Sequence, residues 1–173
     1  MTRLVNDVLD VTKIESGEME FRDELVGATA LLDQCGRTFG PIVEQTGLRF
    51  RMDVPRDLAP VRGDRDRLQQ VVQNLLNNAM KFTVEGTIIL RAAVVAHELR
   101  ISISDTGIGI ASEDLKGIFQ RFYRVDKARS RTAGGTGLGL PIVKEVVERM
   151  GGSVEVESHL GRGSTFTILL QPV

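Results

Sequence analysis

The stretch "RDRLQQVVQNLLNNAMKFT", positions 65 to 83, limits the fold more than any other part of the chain. Leu68, Val71, Val72, Leu75, Leu76 and Ala79 recur at the spacing of one helix face, which predicts a helix from Asp64 to Thr83 lying along a core. Asp64 and Asp66 at its start suit the positive end of the helix dipole. A stripe this apolar needs a second layer to cover it.

The rest of the sequence supplies that layer. Strands are expected near Thr87 to Ala96 and Leu99 to Asp105, where Ile101 and Ile103 alternate with Ser102 and Ser104. A short helix with an acidic start is expected near Ser112 to Phe119. After a basic, glycine-bearing loop comes "PIVKEVVERM", whose Ile142, Val143, Val146, Val147 and Met150 share a face; Pro141 suits its first turn and Gly151 the position past its end. Strands near Ser153 to Ser158 and Ser164 to Leu170 close the chain. Before the central helix, a short strand near Phe21 to Val26, a helix near Ala28 to Gln45 and the alternating "LRFRMDV" are expected. At the start, Leu4, Val8 and Val11, with Val5 and Leu9 beside them, form an amphipathic helix that Gly17 interrupts. Its stripe suits either the tail of a longer helical hairpin or a terminal helix folded onto its own domain. Hairpin strands with interspersed helices predict an α/β two-layer sandwich, a mixed, mostly antiparallel sheet covered on one face by three helices.

With 173 residues, 42% of them hydrophobic, the chain suffices for one buried core and is short for two ordinary domains. Its 22 Lys plus Arg against 23 Asp plus Glu give no broad electrostatic footprint for nucleic acid or an acidic membrane. Cys35 is the one cysteine, so an internal disulfide and a cysteine zinc cluster are both excluded, which suits a reducing cytoplasm. The most apolar run, Ile88 to Ala96, is broken by Arg91 and falls short of the roughly 20 residues of a membrane helix. No signal peptide is recognisable, and a soluble, cytoplasmic domain without membrane contact is expected.

Three clusters carry candidate chemistry. On the central helix, Asn74, Asn78 and Lys81 are spaced by four and three and share a face off the core stripe, with Asn77 beside them. Asparagine is a poor interior helix former, so the face is either merely solvated or functional. In the functional case two amide oxygens help complete an octahedral Mg²⁺ shell while the ammonium meets phosphate. In "SDTGIGI", Asp105 stands at a strand end; its carboxylate can accept from an exocyclic amino group, with Gly107 and Gly109 letting the backbone approach a flat ring. An Asp-Thr-Gly turn is also an ordinary way to end a strand. Glycines 134, 135, 137 and 139 run into a helix start, where free N–H groups and the dipole favour phosphate. A Walker loop is excluded because Leu140, not lysine, follows Gly139, and the same leucine breaks a dinucleotide fingerprint counted from Gly135.

Read in order, "RLQQVVQNLLNNAMKFT", "SDTGIGI", "IFQRFYRVD", "GGTGLGLPIVKEVVERMGG" and "GRGSTF" resemble the N box, first glycine box, F box, second glycine box and closing strand of the sensor histidine kinase catalytic domain. The resemblance covers residues 20–173. Residues 1–19, with "LVNDVLDVTKIESGEMEF", resemble the end of the dimerisation and phosphotransfer hairpin that precedes this domain in the family. The resemblance implies a Bergerat-type ATP site. By motif position, Asp105 binds the adenine amino group, with Gly107 and Gly109 beside it; Asn78 ligates Mg²⁺, with Asn74 nearby; and Lys81 contacts phosphate. Tyr123 and Arg124 start the mobile lid and engage the nucleotide. Gly135, Thr136, Gly137, Leu138, Gly139 and Leu140 cradle the phosphates, and Thr165 supports the adenine contact through water. Phe119 and Phe122 are expected to anchor the lid by packing; Lys127, Arg129 and Arg131 are lid charges.

The implied reaction moves the ATP γ-phosphate to a histidine on the dimerisation domain, for relay to the receiver aspartate of a response regulator. Relatives of this fold that hydrolyse ATP place a glutamate four residues before the metal-binding asparagine; here Asn74 stands there, and a neutral amide is no general base. An anti-sigma-factor kinase or a purely regulatory ATP-binding module are the rival readings. "AHELR", positions 96 to 100, resembles the family's phosphoacceptor box, but it runs into alternating strand residues rather than an exposed helix. His97 is therefore expected at a hairpin turn, His159 has no acceptor context, and the acceptor histidine is expected outside this chain. The remnant hairpin is too short to rebuild a four-helix dimer, so a monomer is expected.

Overall fold

A computed structural model describes residues 2–125 and 135–173. Helix α1 spans Thr2–Glu15, strand β1 Glu24–Val26, helix α2 Ala28–Gln45, β2 Arg49–Asp53, β3 Val61–Gly63, α3 Arg65–Phe82, β4 Thr87–Val95 and β5 Glu98–Asp105; α4 then spans Gly139–Arg149, β6 Ser153–His159 and β7 Gly163–Leu170. The main sheet runs β2-β4-β5-β7-β6, with β2 parallel to β4 and the remaining pairs antiparallel. It is the expected mixed two-layer arrangement, with α2, α3 and α4 on one face.

Alternation decides which face that is. Leu99, Ile101 and Ile103 of β5 are buried, as are Ile88, Leu90 and Ala92 of β4 and Ile168 and Leu170 of β7. Opposite them lie Leu68, Val71, Val72, Leu75, Leu76 and Ala79 of α3, with Ile142, Val143, Val146 and Val147 of α4. The stripe read from sequence is thus the centre of the core. Burying one such aliphatic side chain contributes about 1.5–3 kcal/mol.

Asp64 starts α3. Its Oδ1 accepts from the Arg67 amide at 3.0 Å, and its Oδ2 from the Arg22 amide at 3.0 Å. One carboxylate therefore caps the helix and ties down the chain entering β1. The small β1–β3 sheet beside it was not anticipated, because a strand as short as Val61–Gly63, following Pro60, leaves no alternation to read.

The helix expected at Ser112 to Phe119 is absent. A run of turns replaces it, closed by Asp114 N to Ala111 O at 3.0 Å, Gly117 N to Asp114 O at 2.8 Å and Gln120 N to Gly117 O at 2.8 Å, with one bond of helical span, Ile118 N to Asp114 O at 3.2 Å. The segment is too short to repay helix nucleation, and Gly117 in its middle weakens it further. The Tyr123 ring lies where a side chain at position 117 would stand.

α1 folds back onto the domain. Val11 and Ile14 are buried, the Ile14 carbonyl accepts from Arg149 Nη2 at 3.5 Å, and Asp10 pairs with Arg67 at 3.0 Å. Val5, Val8 and Leu9 remain exposed on its other edge. Among the described residues no helix is long and apolar enough to cross a membrane.

Burial pushes the Asp64 carboxyl up, but the amides of Arg22, Arg67 and Asp66 and the Arg67 charge outweigh it and hold the group below the usual aspartate value. A depressed folded value stabilises the fold above the unfolded value and loses that contribution as pH falls through the folded one. Asp64→Ala is expected to cost about 1–2 kcal/mol above about pH 4, with the gap closing in more acid solution. Urea unfolding of both proteins across pH measures this; a gap that widens in acid contradicts it.

Candidate functional site

The C-terminal half of α3 does not end on the sheet. It ends on the loop that leaves β5: Ile108 N donates to Phe82 O at 3.1 Å. Gly107 lies between them, and a side chain there would collide with Phe82 O. The join fixes Asp105, whose Oδ1 accepts from Gly107 N at 2.8 Å.

Above this join opens a cleft of about 420 Å³. α3 contributes Asn77, Asn78, Lys81 and Phe82; Asp105, Ile108, Gly109 and Ile110 follow from β5 and its loop, and Ser164 and Phe166 from β7. Ile118, Tyr123, Arg124 and Val125, with Gly135, Thr136, Gly137, Gly139 and Leu140, continue the lining. The lining therefore combines the Asp105 carboxylate with apolar side chains (Phe82, Ile108, Ile110, Ile118, Phe166), the cations Lys81 and Arg124, and the glycine-rich entry to α4. Such a cleft suits a ligand with a flat, weakly polar end bearing one donor and an anionic end.

Burial pushes the Asp105 carboxyl above the usual aspartate value, against the Gly107 and Ser164 amides and the Thr83 hydroxyl, which favour the charge. Thr83 itself is buried at the C-cap of α3. Lys81 Nζ stands 4.9 Å from the centroid of the Phe82 ring and close to Gly135. Gly137, at φ 71°, accepts from Phe122 N at 3.0 Å, and a side chain there would crowd the Phe122 backbone. The Tyr123 hydroxyl donates to Asp114 Oδ1 at 2.6 Å; this bond, burial and the charges of Asp114 and Glu113 push its pKa up.

Most expected site residues thus converge, but four do not behave as expected. Thr165 faces away from the cleft. Asp105 pairs with Ser164 in the β5–β7 register, so strand alternation turns Ser164 toward the ligand side and Thr165 to the other face, where its Oγ1 lies 2.9 Å from Ser104 Oγ. Leu138 is buried in the core, and only the loop around it lines the cleft. Asn74 is buried behind the cleft wall, its amide carbon 3.9 Å from where a side chain on Gly139 would begin. Phe122, expected to pack, is 67% exposed with φ 62°, whereas Phe119 meets Phe166 edge to face at 6.4 Å. Gly134, Lys127, Arg129 and Arg131 lie outside the described residues.

His97 and Ala96, at φ 65° and 51°, form the two-residue turn between β4 and β5. Asp105 is at the far end of β5, about 24 Å from Glu98 by strand rise. Neither this histidine nor exposed His159 lines the cleft. Sequence reasoning missed Phe82, Ile108, Ile110, Ile118, Phe166, Ser164, Thr83 and Asp7. Phe82, next to Lys81, was the one with a legible signal.

Residues 63–173 match the family of histidine kinase-, DNA gyrase B- and HSP90-like ATPases. The chain belongs to that family. Its likeness within the family is to sensor kinases. It is 40% identical over 174 residues to the sensor protein GacS of Pseudomonas syringae pv. syringae, a match covering 97% of this chain and 19% of that protein. It is 41% identical to the sensor histidine kinase WalK of Bacillus subtilis (strain 168), covering 98% of this chain and 28% of WalK. The structure of full-length ShkA in complex with AMPPNP superposes with a TM-score of 0.85 at 32% identity, over 99% of this chain and 35% of that one. The chain therefore spans under a third of these curated relatives, as the ATPase-type catalytic domain of the sensor histidine kinase kind.

A carboxylate held above its ordinary pKa burdens the ligand-free fold once it ionises, so stability falls as pH rises from the unfolded value through the folded one. Asp105→Asn keeps an acceptor for Gly107 without the charge. The ligand-free variant is expected to gain on wild type as pH rises from about 4 and to melt higher at neutral pH. Thermal unfolding across pH reads this; a neutral-pH loss of stability in the variant contradicts it.

Proposed function

We propose that this chain binds ATP in the cleft and transfers its γ-phosphate to a histidine on a dimerisation hairpin, from which a response-regulator aspartate takes it. The observation that carries the reading is the combination, in one cleft, of a pinned, partly buried carboxylate with apolar side chains, the cations Lys81 and Arg124 and a glycine loop. Asp105 would accept from the adenine amino group, with Ile108, Ile110 and Phe82 against the ring. Ser164 takes the supporting place expected of Thr165. Lys81, Arg124 and the amides entering α4 would meet the phosphates. Residues 20–173 form the catalytic domain in this reading, and residues 1–19 the end of the hairpin. The need for ATP places the work in the cytoplasm.

Transfer forms a bond between an imidazole nitrogen and the γ-phosphorus as the bond to the β,γ-bridging oxygen breaks; ADP leaves, and the imidazole proton passes to solvent. Such a step asks the protein for position and charge stabilisation rather than for a base. Asn74, buried and neutral, offers no base for water, which disfavours hydrolysis.

A Mg²⁺ ion fits the donor set. Among the described residues no group of three or more His, Cys, Asp or Glu could hold a metal. Mg²⁺ keeps waters and phosphate oxygens in its shell and asks only one or two ligands of a protein, which the Asn78 amide oxygen in the cleft can supply. Bound there, it would neutralise phosphate charge. Asn74, behind the wall, would support Asn78 rather than ligate directly.

The test is transfer of labelled phosphate from Mg²⁺-ATP to a separately supplied hairpin carrying its acceptor histidine. The wild-type chain and His97→Gln should label the hairpin equally, with no label on the chain itself. Asp105→Ala should bind ATP roughly 5–150-fold more weakly, and Asn78→Ala should lose the Mg²⁺-dependent part of binding. ATP binding without transfer would leave a regulatory module, and unchanged affinity in Asp105→Ala would end the site assignment.

A further inference from the structure

Three polar residues stand in one row across the end of the main sheet. Asp105 pairs with Ser164 in the β5–β7 register, and Ser164 with Ser158 in the β6–β7 register. Directly paired residues share a face of a sheet, so all three side chains turn to the side that carries the helices and the cleft. The next row on that face, Ile103, Phe166 and Val156, belongs to the core. Asp105 and Ser164 line the cleft; Ser158, on the edge strand β6, lies outside the lining.

The Ser158 hydroxyl nevertheless reaches two residues of the cleft. It accepts from Ile110 N at 2.8 Å, donates to Gly163 O at 3.0 Å and lies 2.8 Å from Ser164 Oγ. A serine has one proton to give. With that proton on Gly163 O, the contact with Ser164 is a hydrogen bond in which Ser164 donates, and this assignment satisfies all three contacts together. A serine that only closed the β6–β7 turn would need Gly163 alone.

The two cleft residues depend on Ser158 unequally. Beside Ile110, Gly161 N donates to Ile108 O at 2.7 Å, and Gly109 lies so close to His159 O that a side chain there would collide. The loop after β5 is therefore held against the β6–β7 turn by main chain as well. For the Ser164 hydroxyl, Ser158 is the one hydrogen-bond partner among the described residues.

We propose that Ser158 is a positioning residue of the base end of the cleft, which fixes the rotamer of the Ser164 hydroxyl and so the seat that a nucleotide base finds beside Asp105. The inference rests on the reading of the cleft as an ATP site. Ser158 touches no ligand in it and acts through Ser164. Without the Ser158 hydroxyl, the Ser164 side chain turns among its rotamers, and binding must order it at a cost in affinity.

The pair that tests this is Ser158→Thr and Ser158→Val, equal in shape and both suited to a strand, of which only the first keeps a hydroxyl. ADP with Mg²⁺ is titrated calorimetrically into the full chain, both variants, Ser164→Ala and the double variant Ser158→Val with Ser164→Ala. Ser158→Val is expected to bind ADP about three- to tenfold more weakly than Ser158→Thr, which follows wild type. The double variant is expected to bind as Ser164→Ala does, to within about twofold. Should Ser158→Val fail to fold, Ser158→Ala gives the same comparison. Equal affinities of the Thr and Val variants overturn the proposal, and so does a double variant whose two losses multiply, which marks Ser158 as a support of the fold at large. Absence of ADP binding by the wild-type chain overturns the ATP reading and this inference with it, whereas the other contrary results arise with wild-type binding intact.

Discussion

Everything in the candidate site depends on one backbone junction, the bond from Ile108 N to Phe82 O with Gly107 pressed between α3 and the end of β5. It joins the two layers at a point where the helix has run past the sheet. Because the junction is made of main chain, the side chains around it are not what holds the two layers together there. Asp105 is oriented from below by Gly107, Lys81 and Phe82 project from the last turn of α3, and Ser164 comes level with Asp105 through the strand register. Substituting Gly107 would therefore shift every one of these groups at once.

The lining of the cleft is mixed in a way that suits its proposed ligand. The Asp105 carboxyl is pushed up by burial, and the same lining carries apolar side chains, two cations and the glycine-rich entry to α4. Burying Asp105 has an energetic cost to the empty fold, and a ligand amine that donates to it offsets part of that cost. Asp64 has the opposite character. Its burial is outweighed by three amides and a guanidinium, so it stabilises the ligand-free domain. Two aspartates of one domain thus divide into a structural cap and a binding group according to whether their hydrogen bonds outweigh their desolvation.

The features legible in the sequence were those with a strong period or an unusual residue. The α3 stripe follows from a 3.6-residue repeat, β5 from strict alternation, and Asp105, Asn78 and Lys81 from polar residues where core or solvent would favour others. The misplacements have one physical cause, that local sequence does not set long-range register. Thr165 and Ser164 differ by one position in a strand, and only pairing with Asp105 decides which faces the cleft. Leu138 sits inside a loop motif yet turns into the core, and Asp7 belongs to a helix whose docking on α4 no periodicity announces. The turns at 112–119 were read as a helix because an acidic start resembles a cap, whereas Gly117 and the Tyr123 ring decide otherwise.

The central claim is that the Asp105 carboxylate reads the base of a bound nucleotide. Titrating ADP and GDP in parallel into the full chain with Mg²⁺ tests it most directly, because guanine presents a carbonyl oxygen where adenine presents an amino group, leaving two acceptors face to face. An ADP preference of at least about a hundredfold is predicted, the scale of a buried charge-assisted hydrogen bond replaced by acceptor repulsion. Equal affinities for ADP and GDP would contradict the account.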